Sequence, residues 1–197
     1  IYTFSYTLSL HDALPICCES EAVSASATIW EKPTATLTAS ESVCFGEGNK
    51  VTFTAGGGNE YIWTVNSVPY NDETDNVIEF TAAGTYNVSV IAKSADGCES
   101  DAVSASATIW EKPLATLNAS ESVCDGGTVT FTAGGGNEYI WTVNGVPYND
   151  ETDNVIEFTA VGSYNVSVIA KSADGCESES VSASATIWEK PLATLNA

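Results

Sequence analysis

One stretch of this chain occurs almost twice. From Val51 to Pro113 it reads VTFTAGGGNEYIWTVNSVPYNDETDNVIEFTAAGTYNVSVIAKSADGCESDAVSASATIWEKP, and from Val129 to Pro191 it repeats at 58 of 63 positions. The five changes are Ser67/Gly145, Ala83/Val161, Thr85/Ser163, Asp101/Glu179 and Ala102/Ser180. The period is 80 residues at Cys44/Cys124 and 78 at Cys98/Cys176, the difference lying in one loop, CFGEGNKV against CDGGTV. Such a period restricts the fold to a unit that closes on itself and can be joined end to end. Residues 18–33 (CESEAVSASATIWEKP) match the end of a third copy, and residues 191–197 (PLATLNA) the start of a fourth. The expected organisation is therefore a truncated repeat over 18–33, complete repeats over 34–112 and 113–190, and a truncated repeat from 191 to 197. A chain cut at both ends from a longer array is the expectation.

Residues 1–17 stand outside this pattern. Ile1 to Ile16 (IYTFSYTLSLHDALPI) resembles the translation of a sequencing-adapter oligonucleotide, with Phe4 and Ser5 falling in the gap that a variable index would fill. Cys17 then replaces the glycine that precedes CES in the other copies, Gly97 and Gly175. A secretion signal would show a basic start and a small-residue cleavage site, and neither is present. The segment is expected to carry no function, to pack on nothing and to match no strand of the repeats. His11, the single histidine, is set aside with it.

The whole chain carries a net charge of −20, with six lysines and no arginine. Such a surface repels nucleic acid and anionic membranes and attracts cations. No apolar run reaches the roughly 18 residues of a membrane span. Each complete repeat holds two cysteines, Cys44 and Cys98, then Cys124 and Cys176. Paired cysteines without histidine or CxxC spacing point to disulfides in an oxidising compartment rather than to zinc.

Hydrophobic residues alternate with period two, as in half-buried strands. Ala35, Leu37 and Ala39 share a face, as do Val51, Phe53 and Ala55, then Tyr61, Trp63 and Val65, then Ile78 and Phe80, then Tyr86, Val88 and Val90, then Val103, Ala105, Ala107 and Ile109. GGGN, VNSVP or VNGVP, YNDETDN and SADG punctuate them as turns. Asn66–Ser67 and Asn144–Gly145 read as two-residue type I′ hairpin turns, and GGGNE as a hairpin turn. Six or seven short strands per repeat predict an all-β fold of tandem two-sheet sandwiches.

At VTFTAGGGNEYIWTV and GTYNVSVIAKSADGC the chain resembles the PKD-like and immunoglobulin-like repeats of bacterial secreted or cell-surface proteins. It departs from typical PKD domains, which carry a WDFGDG-like stretch where WTVNSVP stands here. The resemblance implies that Trp63 and Trp141 fill the sandwich centres. It also implies that Tyr86 and Tyr164 form tyrosine corners. The cysteine pair is similar to that of surface repeats exported by gliding bacteria. Bridges Cys44–Cys98 and Cys124–Cys176 are expected within each repeat; a bridge between repeats, Cys44 to Cys176, is the alternative.

The candidate sites are few. Asp72, Glu73 and Asp75, with Asp150, Glu151 and Asp153, offer oxygen ligands for calcium, a hard cation; the competing reading is a solvated loop guarding an edge strand. No other cofactor is expected. Tyr70, Tyr148, Trp30, Trp110 and Trp188 are candidates for stacking on sugar rings, although each Trp lies at a repeat seam, where it can pack on the next domain. Catalysis lacks a histidine base or an arginine clamp in the repeats, so no enzyme is expected. The reading is a non-enzymatic stalk or multivalent adhesin, extracellular or on a bacterial cell surface. Its partners are neighbouring repeats and surface glycans or proteins, without nucleic acid or membrane insertion. The alternatives are a carbohydrate-binding or spacer module of a polysaccharide-degrading enzyme and a calcium-rigidified adhesin.

Overall fold

The computed structural model describes residues 2–6 (backbone only), 24–70, 75–148 and 153–195. Every regular element among them is a strand. In chain order they begin with β1 (Tyr2–Tyr6) and β2 (Ala25–Ile29). The first repeat supplies β3 (Thr36–Ala39), β4 (Val43–Cys44), β5 (Val51–Gly56), β6 (Glu60–Val65), β7 (Val68–Tyr70), β8 (Val77–Phe80), β9 (Gly84–Lys93) and β10 (Val103–Trp110). The second supplies β11 (Thr116–Ala119), β12 (Val123–Cys124), β13 (Val129–Gly134), β14 (Glu138–Val143), β15 (Val146–Tyr148), β16 (Val155–Phe158), β17 (Gly162–Lys171) and β18 (Val181–Trp188).

Each repeat forms a three-stranded and a five-stranded sheet, with orders β3-β5-β8 and β4-β10-β9-β6-β7, then β11-β13-β16 and β12-β18-β17-β14-β15. Registers match residue for residue: Trp63 lies opposite Val90, and Trp141 opposite Val168. The chain is thus built of immunoglobulin-like β-sandwich domains. By compactness it divides into two units, one holding Val51–Phe80 and Thr85–Ala107, the other Ser42–Lys50, Thr81–Gly84 and Thr108–Ala197.

Alternation decides what enters each core. Val51 and Phe53 on one sheet and Trp63, Val88 and Val90 on the other are at most 2% exposed. In the second repeat Val129, Phe131, Trp141, Val166, Val168 and Ile187 belong to one buried cluster. Burying a side chain of this size contributes roughly 1.5–3 kcal/mol. The indole N–H groups are not stranded: Trp63 Nε1 donates to the Asp75 carbonyl at 3.0 Å, and Trp141 Nε1 to that of Asp153 at 3.1 Å. Tyr164 donates its hydroxyl to the Ala160 carbonyl at 2.7 Å. Tyr86 and Tyr164 stack on Phe80 and Phe158 at centroid distances of 4.1 and 4.2 Å.

Three expectations need correction. GGGNE is no hairpin turn, because β5 and β6 belong to different sheets; it carries the chain across the sandwich. Gly57, at φ 91°, makes this possible, since a Cβ there would stand 1.9 Å from the Thr34 carbonyl oxygen. Next, β1 does not stand apart: Tyr2–Tyr6 pairs antiparallel with Ala25–Ile29. An aromatic and hydroxyl-rich segment has strand propensity, and an edge strand offers unpaired N–H and C=O groups to any such segment. His11, Cys17 and Cys18 lie outside the described residues.

The third correction is the disulfide. Cys44 is bonded to Cys176, 132 residues away, and Cys98 and Cys124 are free. The reason is a two-residue strand. β12 pairs parallel with the end of β18, Cys124 opposite Trp188, whereas Cys176 precedes the start of β18 at Val181. Eight residues of strand separate the two ends by about 25 Å, far beyond the Cα spacing of at most ~7 Å that a disulfide spans. The register Trp110↔Cys44 places Cys44 at the corresponding end of β10, away from Cys98. A bridge within one repeat is geometrically closed.

Candidate functional site

The features that distinguish these sandwiches from plain scaffolds gather at their ends. At one end, β4 and β12 hold Cys44 and Cys124 against the last residues of β10 and β18. Ser42 and Ser122 anchor these short strands: their hydroxyls accept from the Thr108 and Thr186 N–H groups at 2.9 and 3.0 Å. At the other end, the second cysteine sits in a tight turn. Cys98 and Cys176 donate their N–H to the Ser94 and Ser172 hydroxyls, both at 3.1 Å, and their carbonyls accept from the N–H groups of the same serines, both at 2.9 Å.

Ser100 and Ser178 close that turn from inside. They are buried at 6% and 7% exposure. Each hydroxyl accepts from the N–H of Ala92 or Ala170 at 2.9 Å and donates to the next carbonyl at 2.8 Å. Sequence reasoning missed these serines; the shared spacing CES, with Ser two residues after Cys, was the signal available. Close by, Lys112 pairs with Glu179 at 3.3 Å, and Lys32 pairs with Asp101.

Of the acidic loops only part is described. Asp72, Glu73, Asp150 and Glu151 lie outside the described residues. Asp75 and Asp153 are described, and their carbonyls serve the core tryptophans. Among the described residues no three His, Cys, Asp or Glu side chains gather as a metal would require.

The aromatic candidates differ in exposure. Trp30 and Trp188 are 44% and 59% exposed, whereas Trp110 is half-buried. Tyr70 and Tyr148 are partly exposed and lean edge-on against Phe80 and Phe158. The outer face of the first repeat's five-stranded sheet carries a shallow depression of about 380 Å³ lined by small hydroxylated and amide side chains, including Thr64, Asn87, Ser89, Ser104 and Ser106. This face presents hydrogen-bonding groups without an aromatic platform or an enclosed pocket.

No family model matches the chain, and no curated protein sequence matches it. Solved structures do. Fibronectin(III)-like modules of Clostridium thermocellum CbhA share 20% identity over 82% of this chain and 99% of theirs, with a TM-score of 0.41. A structure from a 1.5-MDa bacterial ice-binding adhesin shares 15% over 82% of this chain and 66% of its own, at 0.40. The amphioxus IgVJ-C2 molecule shares 19% over 74% and 99%, at 0.39. Likeness at this level says nothing of ligand or role.

Proposed function

We propose that this chain is part of a non-enzymatic structural or adhesive repeat region, a stalk or multivalent adhesin of a secreted or surface-attached bacterial protein. The observation that carries the reading is the disulfide. It ties the first repeat's Cys44 to the second repeat's Cys176, so the covalent framework serves the joining of modules. A module that works by repetition gains from copies held in fixed succession, through avidity rather than through one strong site. The bridge also fits an oxidising, extracellular setting. In this reading residues 1–17 are foreign to the array, the repeats are of the PKD-like and immunoglobulin-like type, and 34–112 and 113–190 are its modules.

A glycan array separates this reading from a carbohydrate-binding module. The oxidised chain is applied singly and displayed in many copies on beads. Retention that depends on multiple copies, without a single-copy signal, is the expected outcome. Tight single-copy binding to one polysaccharide would replace the stalk by the carbohydrate module. Melting curves with calcium and with chelator address the rigidified adhesin, which requires a calcium-dependent rise in Tm.

A further inference from the structure

Cys98 and Cys124 are free in a chain whose equivalent cysteines are bonded. Cys124 holds the place of Cys44, each ending a two-residue parallel strand opposite a tryptophan. Cys98 holds the place of Cys176, each seated on a serine hydroxyl at 3.1 Å in the same turn. The Cys98 and Cys176 turns carry the same hydrogen bonds, whereas the loops after Cys44 and Cys124 differ: the Cys44 carbonyl accepts from Asn49 Nδ2 at 2.9 Å, and the Cys124 carbonyl accepts from the Gly127 N–H at 2.9 Å. Burial differs as well. Cys176 is fully buried and Cys98 half-buried; Cys44 is half-buried and Cys124 exposed. The tryptophans follow suit, Trp110 beside Cys44 being half-buried and Trp188 beside Cys124 59% exposed.

A second set of side chains repeats the pattern without sulfur. Lys112, in the linker that follows the first repeat, pairs with Glu179, three residues beyond Cys176. Lys32, in the linker that precedes the first repeat, pairs with Asp101, three residues beyond Cys98. In both places an EKP lysine reaches the neighbourhood of the turn that carries the second cysteine. The turn that carries Cys98 thus meets an EKP lysine of the linker before it, as the turn that carries Cys176 does.

We propose that Cys98 and Cys124 are open halves of the same staple, and that each takes a further copy of this repeat. Cys98 takes the β4-type cysteine of a copy placed before it, and Cys124 the turn cysteine of a copy placed after it. The Cys44–Cys176 bond is then one link of a covalent ladder. Each link forms as two thiols lose two protons and two electrons to a disulfide oxidant such as oxidised glutathione, which leaves as two glutathione thiols. The inference holds whatever the array binds, so it stands or falls separately from the stalk reading.

The test extends the full chain in frame after Ala197 with a copy of residues 120–191, which completes a third repeat from LATLNA. Cys17 and Cys18 are replaced by serine to simplify the map. After oxidation in a glutathione buffer, alkylation and non-reducing peptide mapping are expected to find Cys124 joined to the added copy's turn cysteine. Alkylation of Cys124 falls from complete in the original chain to below a tenth. Cys98, with no cysteine of the β4 type before it, stays alkylatable. Cys176→Ser and Cys44→Ser, each made in the extended chain, both leave Cys124 protected; either variant alone suffices if the other fails to fold. Continued alkylation of Cys124 in the extended chain, or its bonding to Cys98 or to the original Cys176, overturns the proposal.

Discussion

The two complete repeats are close to a controlled experiment. Their cores match side chain for side chain, with Trp63 and Trp141 each 1% exposed and Phe53 and Phe131 fully buried. They differ at a turn, Asn66–Ser67 against Asn144–Gly145, and at their cysteines, where the two that are bonded come one from each repeat. Val51, Phe53, Trp63, Val88 and Val90 and their counterparts are buried where alternation within each repeat places them. The cysteines are not fixed in this way: the same SADGCES turn holds a free thiol at Cys98 and a bonded one at Cys176. The interior of each repeat is a local property, and the state of its cysteines is not.

The sharpest challenge to that equivalence is at the core. Trp63→Ala and Trp141→Ala each remove a fully buried indole and should cost about 3–5 kcal/mol. Denaturant unfolding should give losses that agree between the two variants to within about 0.5 kcal/mol. A larger gap would mean that the repeats are held differently despite matching contacts. The bridge comes next. Cys44→Ser should destabilise the oxidised chain by about 2–4 kcal/mol, while Cys124→Ser, which breaks no bond, should stay within ~0.5 kcal/mol of the parent. Equal effects would erase the distinction between bonded and free ends.

Smaller again is the buried serine. Ser100→Ala and Ser178→Ala each leave an Ala92 or Ala170 N–H without its hydroxyl acceptor, at a cost of about 1–3 kcal/mol. Hydrogen exchange at those two amides should accelerate in the variants, and unchanged rates would deny the serines their role. The smallest difference is the turn. Asn66 and Ser67 have φ of 49° and 67°, and Asn144 and Gly145 of 50° and 79°. A residue with a Cβ is strained in this left-handed region, and glycine is not. Ser67→Gly should stabilise the first repeat by about 1 kcal/mol and Gly145→Ser should destabilise the second by a similar amount, read as shifts in the unfolding midpoint. Val161 adds nothing to this contrast, because it is 41% exposed rather than directed into the core.

Alternation made the buried faces legible. Val51, Phe53 and Ala55, and again Ala107 and Ile109, are buried where period two placed them. The Asn-Gly turn was legible because few residues tolerate its backbone. What was not legible depends on which strand a segment meets. A turn signal such as GGGN marks a reversal but not the sheet that the next strand joins, so the crossing between β5 and β6 read as a hairpin. Val43–Cys44 is too short to announce itself by periodicity, yet its parallel pairing with β10 decides which end of the sandwich holds Cys44. The pairing of Tyr2–Tyr6 with β2 likewise needed an open edge that sequence alone does not display. For the acidic loops, sequence proposed six ligands, and the two that are described act through backbone carbonyls on the tryptophans.

The Cys44–Cys176 bond has a consequence for a chain under tension. It short-circuits 132 residues, or roughly 450 Å of extended polypeptide at about 3.4 Å per residue. Pulled from its ends while oxidised, the chain transmits force through one pair of sulfur atoms past the enclosed segment, which can lose its structure without lengthening the molecule. Reduction restores that hidden length. The thiol–disulfide state of one cysteine pair therefore sets how far this polypeptide can stretch, independently of how well its sandwiches resist unfolding.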